Sequence, residues 1–147
     1  MFGMGNIFSA TDIRGYVGKS LTTEYVWNVG KAVAEWLSEK GDVVIVRSAS
    51  SDAGTANALT EGILLQGRNV IEVNDGDQKK VIATIMSNKA AGGALVEYEK
   101  VQNLAVITLF DERGVAVMDS TGLGEIDRLV KAGNFLPAAV KGVARSV

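Results

Sequence analysis

Residues 22–46 read TTEYVWNVGKAVAEWLSEKGDVVIV, and two periodicities meet within them. Val26, Val29, Val33, Trp36 and Leu37 recur at helical spacing and form one apolar face. Thr22 or Thr23 can cap this helix, with Glu24 in its first turn. Gly41, after Lys40, is the expected C-terminal stop. Val43-Val44-Ile45-Val46 then forms a β-branched run of the kind buried in a parallel strand. A helix that hands over directly to a buried strand is half of a βαβ unit.

Working outward, the alternation continues. A polar stretch from Ser48 to Asp52 leads into a second helix over about 52–66, which Gly67 ends. Val70-Ile71-Glu72-Val73 is the next strand. A third helix spans about 78–88, with Val81, Ile82, Ile85 and Met86 on one side, and Gly92-Gly93 is expected to break the chain after it. Ala94-Leu95-Val96 is a strand, and a further strand covers about 104–109. Asp111-Glu112-Arg113-Gly114 is a turn. A last helix runs over about 123–131 and is closed by Gly133. Strands alternating with helices of this length imply parallel units with helices on both faces of a sheet. The two late, closely spaced strands add antiparallel pairing. The expected fold is therefore α/β, three layers around a mixed, mostly parallel sheet, forming a single domain over residues 1–147.

Composition narrows the chemistry. The chain has 147 residues, of which 47% are hydrophobic, enough for one real core without a disulfide or metal staple. The net charge of −2 and pI of about 5.2 do not point to nucleic acid or an acidic membrane as a partner. There is no cysteine and no histidine. Thiolate nucleophiles, cysteine metal sites and the usual neutral-pH base are absent together. Acid–base work would fall to carboxylates, lysines or tyrosines. The opening Met1 to Asn6 lacks a signal-peptide pattern, and apolar runs such as Leu104 to Ile107 are far too short to span a bilayer. A cytoplasmic location is expected.

Several stretches, in order, carry a family likeness. Ile7-Phe8-Ser9-Ala10-Thr11-Asp12-Ile13-Arg14-Gly15 opens the series. It continues through Val29 to Gly41, Leu59-Thr60-Glu61-Gly62, Gly92-Gly93-Ala94-Leu95-Val96 and Asp111-Glu112-Arg113-Gly114. Gly133-Asn134-Phe135 and Lys141-Gly142 close it. Together they resemble the first domain of the α-D-phosphohexomutases, the phosphomannomutases and phosphoglucomutases. The resemblance implies an intramolecular phosphotransferase ancestry within the isomerases of carbohydrate metabolism. In that family a phosphoserine loop reading Thr-Ala-Ser-His-Asn-Pro follows the fourth of these stretches. Here the place reads Glu97-Tyr98-Glu99-Lys100-Val101-Gln102. Glu99 and Lys100 stand where the family has its Ser-His pair. The Gly-Arg-Asp motif is not intact around Ile45 to Ser48, Asp77-Gln78-Lys79 replaces a Pro-Thr-Pro loop, and Thr108 stands where a lysine closes the next strand. The family's magnesium site, sugar-binding loop and phosphate loop belong to later domains. The resemblance thus implies no catalytic residue, metal or cofactor in this chain, and a non-catalytic relative that acts by binding or self-association.

Each remaining feature has a functional and a plainer reading. Arg14 is the candidate phosphate-binding residue, because its planar fork suits phosphate oxygens; otherwise it and Asp12 order the N-terminal segment. Glu99 could mimic a phosphoserine with one negative charge, or mark a loop released from catalytic demand. Glu97 and Glu99, which would share a face if the strand continued, could with Lys100 form an acid–base set; the plainer reading is a solvated edge. Asn74-Asp75-Gly76-Asp77 begins like a calcium loop but lacks the later ligands, and a turn capped by Asp77 explains it better. Ser120-Thr121-Gly122 reads as a cap. Trp36 belongs to the core; Trp27 either anchors a partner or packs under the N-terminal loop. The expected partners are a second copy or a mutase-like protein, with a sugar phosphate as a further candidate. A split mutase, with the missing domains on a second chain, is the alternative.

Overall fold

The computed structural model describes residues 7–38, 40–50 and 52–147. The expectation that Met1 to Asn6 is not a signal peptide falls on residues outside these. Six strands form one sheet in the order β1-β5-β4-β2-β3-β6: β1 (Ile13–Tyr16), β2 (Val43–Arg47), β3 (Val70–Val73), β4 (Gly92–Glu99), β5 (Leu104–Asp111) and β6 (Ala144–Ser146). β4, β2, β3 and β6 run parallel, while β5 is antiparallel to both β4 and β1. The mixed sheet expected from the sequence is present.

Helices α1 (Thr23–Trp36), α2 (Ala53–Leu65) and α4 (Gly124–Ala132) cover one face. Their Val29, Leu59 and Ile126 join Ile13, Ile45, Val96 and Ile107 of the sheet in the main core. Helix α3 (Gln78–Asn88) packs on the other face, where Val81 and Ile85 meet Val44, Val46, Ile71, Leu95 and Phe110. Strand side chains alternate between faces, so β2 feeds both clusters and reads as a continuous apolar run.

Three expectations need correction. First, α1 ends at Trp36 rather than running to Lys40. Leu37 turns extended (ψ 118°) and is buried. Arg68 then donates from Nε to the Ala34 carbonyl at 2.8 Å and from Nη2 to the Leu37 carbonyl at 2.5 Å. A distant cation on the helix end replaces the local glycine stop. Second, Gly92 and Gly93 do not break the chain but begin β4. A Cβ on Gly93 would lie 2.9 Å from the Val44 carbonyl and 3.1 Å from Ile85 Cδ1, so the strand needs glycine to seat α3. Lys89, left-handed at φ 50°, is what ends α3. Third, β1 and β6 are strands that no periodicity announced, because each is too short to show one.

The capping expectations are met at Thr22 and Asp77, and Asp52 caps α2 as well, whereas Ser120, Thr121 and Gly122 do not cap α4, which begins at Gly124 with no side-chain cap. Thr22, Asp52 and Asp77 accept the N–H of Tyr25, Thr55 and Lys80. Asp77 thereby closes the Asn74–Asp77 turn as a helix cap. Thr121 accepts the Met118 N–H at 2.8 Å, in a single wide turn (Asp119–Leu123) before α4. Trp36 packs against the main core. Trp27 is partly exposed, with the Lys31 ammonium 4.4 Å from its ring centroid.

Candidate functional site

The residues singled out in the sequence lie on β1, β4 and β5, at the end of the sheet that α3 leaves uncovered. On β1, burial alternates, with Ile13 and Gly15 buried and Arg14 and Tyr16 exposed. Arg14 therefore projects away from the main core. It pairs with Val106 of β5, which pairs in turn with Glu97 of β4. The next row of the same face is Tyr16, Leu104 and Glu99. Glu97 and Glu99 thus share a face, because β4 continues past Val96.

Arg14 is held by its own neighbour. Its Nε donates to Asp12 Oδ1 at 2.8 Å and its Nη2 to Oδ2 at 2.6 Å. Asp12 is buried and also accepts the Ser9 hydroxyl at 2.9 Å. The Arg14 hydrogen bonds hold the Asp12 carboxyl below the usual aspartate range, against burial, which pushes it up; Ser9, the arginine charge and Thr11 add to the lowering. A bidentate pair of this kind fixes the guanidinium plane.

The β4–β5 connection is a tight hairpin over residues 100–103. The Glu99 carboxylate accepts the Val101 N–H at 2.8 Å and the Gln102 N–H at 2.9 Å. Asn103 adopts the left-handed conformation at φ 57°, which asparagine tolerates better than most residues. Its side chain donates to the Val17 carbonyl at 3.0 Å and accepts the Tyr98 hydroxyl at 2.7 Å. The loop is bound from both sides. Lys100 is exposed on it. No serine or threonine occurs between Glu97 and Leu104, so the hairpin offers no aliphatic hydroxyl to carry a phosphoryl group.

Arg47 is a further cation near the strand ends, within the stretch where the family's Gly-Arg-Asp motif is not intact. It closes β2 beside the point where the chain reverses its direction across the sheet, the usual place for ligands in such folds. Its Nη2 donates to Asn57 Oδ1 at 2.7 Å and Glu72 Oε2 at 2.9 Å. A cation at the carboxyl end of a parallel strand was the available signal. Arg47 pairs with Val96, a residue of the main core, so it belongs to the face opposite Arg14. Three strand spacings, roughly 14 Å, also separate their strands. The two arginines do not converge on one anion.

Four surface depressions lie elsewhere, one of them lined by Lys40, Gly41, Asp42, Gly67, Arg68 and Asn69 at the amino ends of β2 and β3. None of the four is lined by Arg14, Glu99 or Lys100. Among the described residues, no group of three or more acidic side chains is placed to hold a metal.

Residues 5–119 match the family model for the phosphoglucomutase/phosphomannomutase alpha/beta/alpha domain I. A phosphomannomutase of Salmonella typhimurium (strain LT2) is 28% identical over 148 residues, covering 95% of this chain and 31% of that protein. A Klebsiella pneumoniae phosphomannomutase is 26% identical over 144 residues, covering 95% of this chain and 91% of the relative. In three dimensions the chain is similar to a Thermus thermophilus protein described as a phosphomannomutase. The TM-score is 0.77 at 20% identity, over 95% of this chain and 32% of the other. The chain is thus an α/β domain of the kind that opens the hexose-phosphate mutases. It belongs to the phosphoglucomutase/phosphomannomutase family, and it spans about a third of the length of the Salmonella relative it matches.

Proposed function

We propose that this domain does not carry out phosphoryl transfer by itself and acts by binding, either to a second copy or to a mutase-like protein. The observation that carries the reading is the occupant of the β4–β5 hairpin. Where the family resemblance expects a phosphoserine, the Glu99 carboxylate is taken up by the Val101 and Gln102 N–H groups. Phosphoryl transfer depends on a positioned nucleophile and a neutralising cradle of cations or metal. The hairpin has no aliphatic hydroxyl. Arg14 gives its Nε and Nη2 to Asp12, and Arg47 belongs to the other face.

One observation favours a second reading. The chain covers only 31% of the Salmonella relative, so in that protein most of the length lies beyond the matched domain. A split or multi-domain mutase, with further domains supplying the catalytic parts, would use this domain as a scaffold. A sugar-phosphate sensor built on Arg14 has weaker support, since the guanidinium is already paired.

Mutase turnover, together with thermal shift on added hexose phosphates, separates the readings. Binding without catalysis predicts no turnover by the purified chain and no shift. A sensor at about 100 times its dissociation constant would gain about 2.7 kcal/mol. Turnover that appears only when a polypeptide carrying the later mutase domains is added would establish the split enzyme. Turnover by the chain alone would overturn the proposal.

A further inference from the structure

Among the described residues, no helix packs on the β1 and β5 end of one sheet face. The cluster under α3 draws its sheet residues from β2, β3, β4 and Phe110 of β5, and includes nothing from β1. Beyond it lie two rows: Arg14, Val106 and Glu97, then Tyr16, Leu104 and Glu99. Tyr16 is 49% exposed, Glu97 and Glu99 are exposed, and Val106 and Leu104 are half-buried. The face is an apolar stripe along β5, flanked by an arginine and a tyrosine on one side and two glutamates on the other.

We infer that this open face is the interface between two copies of the chain, related by a two-fold axis that runs parallel to β5 and passes over Val106. The inference rests on the binding role proposed above and names its partner and surface. Rotation about such an axis exchanges β1 with β4 across the interface. Arg14 of each copy then faces Glu97 of the other, because the two residues flank Val106 in one row at one strand spacing on either side. Val106 meets Val106, and Leu104 meets Leu104. Tyr16 meets Glu99. A symmetric contact must be self-complementary, and this arrangement of charges meets that condition twice over. The other in-plane two-fold, perpendicular to the strands, would set Arg14 against Arg14 and Glu97 against Glu97, which like-charge repulsion disfavours. The charge pattern therefore selects one orientation.

Arg14 and Glu97 are free to pair across the interface. Arg14 engages Asp12 through Nε and Nη2 alone, leaving its Nη1 end for a second carboxylate. The Glu97 carboxylate makes no hydrogen bond or ion pair with another described residue, its ladder pairing to Val106 being through the backbone. Stacked sheets sit about 10 Å apart with strands within about 30° of each other. At that separation the edge strand β1 of one copy would lie over β4 of the other, level with the layer that α3 occupies.

Light scattering and sedimentation equilibrium on the whole chain test this, from low micromolar to submillimolar protein. The wild type is expected to be a dimer at the upper end. Glu97→Arg and Arg14→Glu should each weaken the dimer about tenfold or more, and the double variant R14E/E97R should recover most of the loss, because the charges are exchanged rather than removed. Val106→Lys, which places two like charges on the axis, should also dissociate it. If Arg14→Glu disturbs folding, as judged by circular dichroism, Glu97→Arg and Val106→Lys still decide the question. A dimer insensitive to both would overturn the assigned face and leave self-association standing. A monomer at every concentration would overturn self-association too, while leaving the absence of catalysis to be judged by the turnover assay.

Discussion

Arg14 of β1 and Asp12, the residue just before that strand, form a two-pronged ion pair with contacts of 2.6 and 2.8 Å. Asp12 is 7% exposed, whereas the arginine side chain is 48% exposed. The pair therefore joins a buried anion to a solvated cation. This geometry fixes the direction of its pH dependence. The folded carboxyl titrates below its unfolded value, chiefly through the Arg14 hydrogen bonds. Its contribution is present above the unfolded value of about 3.9 and is lost as pH falls through the folded one. Asp12→Asn should lower stability at neutral pH by about 1 kcal/mol, a figure reduced for solvent screening at Arg14. It should also flatten the acid limb of a plot of urea-unfolding free energy against pH. Some slope should remain, because Asp111 is also lowered: burial pushes it up, but Arg113 and the backbone N–H groups of Val115 and Arg113 outweigh that. An unchanged acid limb in Asp12→Asn would contradict the pairing.

Glu99 supplies a separate prediction. Its carboxylate is the acceptor that closes the β4–β5 loop, whereas Lys100 has no such part. Glu99→Ala should cost about 1 kcal/mol, the net value of an ordinary hydrogen bond. It should also speed amide exchange at Val101 and Gln102, the two donors it abandons. Lys100→Ala should leave both readings unchanged. Equal effects from the two variants would mean that the loop is held by Asn103 and Tyr98 alone.

Those two side chains also mark how far the sequence could be read. The strand–helix alternation was legible because buried β-branched runs such as Val43–Val46 and caps such as Thr22 and Asp77 are local signals. The mixed sheet followed from the short spacing between β4 and β5. What could not be read depends on distant partners. Arg68 ends α1 from across a long stretch of chain, and β6 exists only because it pairs with β3. The site divided in the same way. The substitution at Glu99 was visible in the sequence, while its bonds to Val101 and Gln102 depend on the hairpin geometry. That Arg14 and Arg47 belong to opposite faces follows from strand register, which no single segment encodes.

The α1–α2 contact is another such relationship, and it yields the strongest prediction for stability. Gly30 of α1 and Gly62 of α2 are both buried. A Cβ built on either residue would stand 3.1 Å from the other's Cα and would run into main-chain oxygen, Leu59 O from Gly30 and Trp27 O from Gly62. The helices meet backbone to backbone, so the neighbours that would have to move are main-chain atoms rather than flexible side chains. Forcing a methyl into such a contact typically costs about 1–3 kcal/mol, more than offsetting the better helix propensity of alanine, about 1 kcal/mol. Gly30→Ala should therefore lower the urea midpoint with an unchanged denaturant slope. Gly54→Ala is the matched control. That glycine is exposed in the first turn of α2, where a Cβ would meet only the Asp52 carboxylate, at 3.4 Å. Without a clash, only the propensity gain remains, and the midpoint should hold or rise. If Gly30→Ala proved as stable as Gly54→Ala, the two helices would have to be further apart than this packing allows.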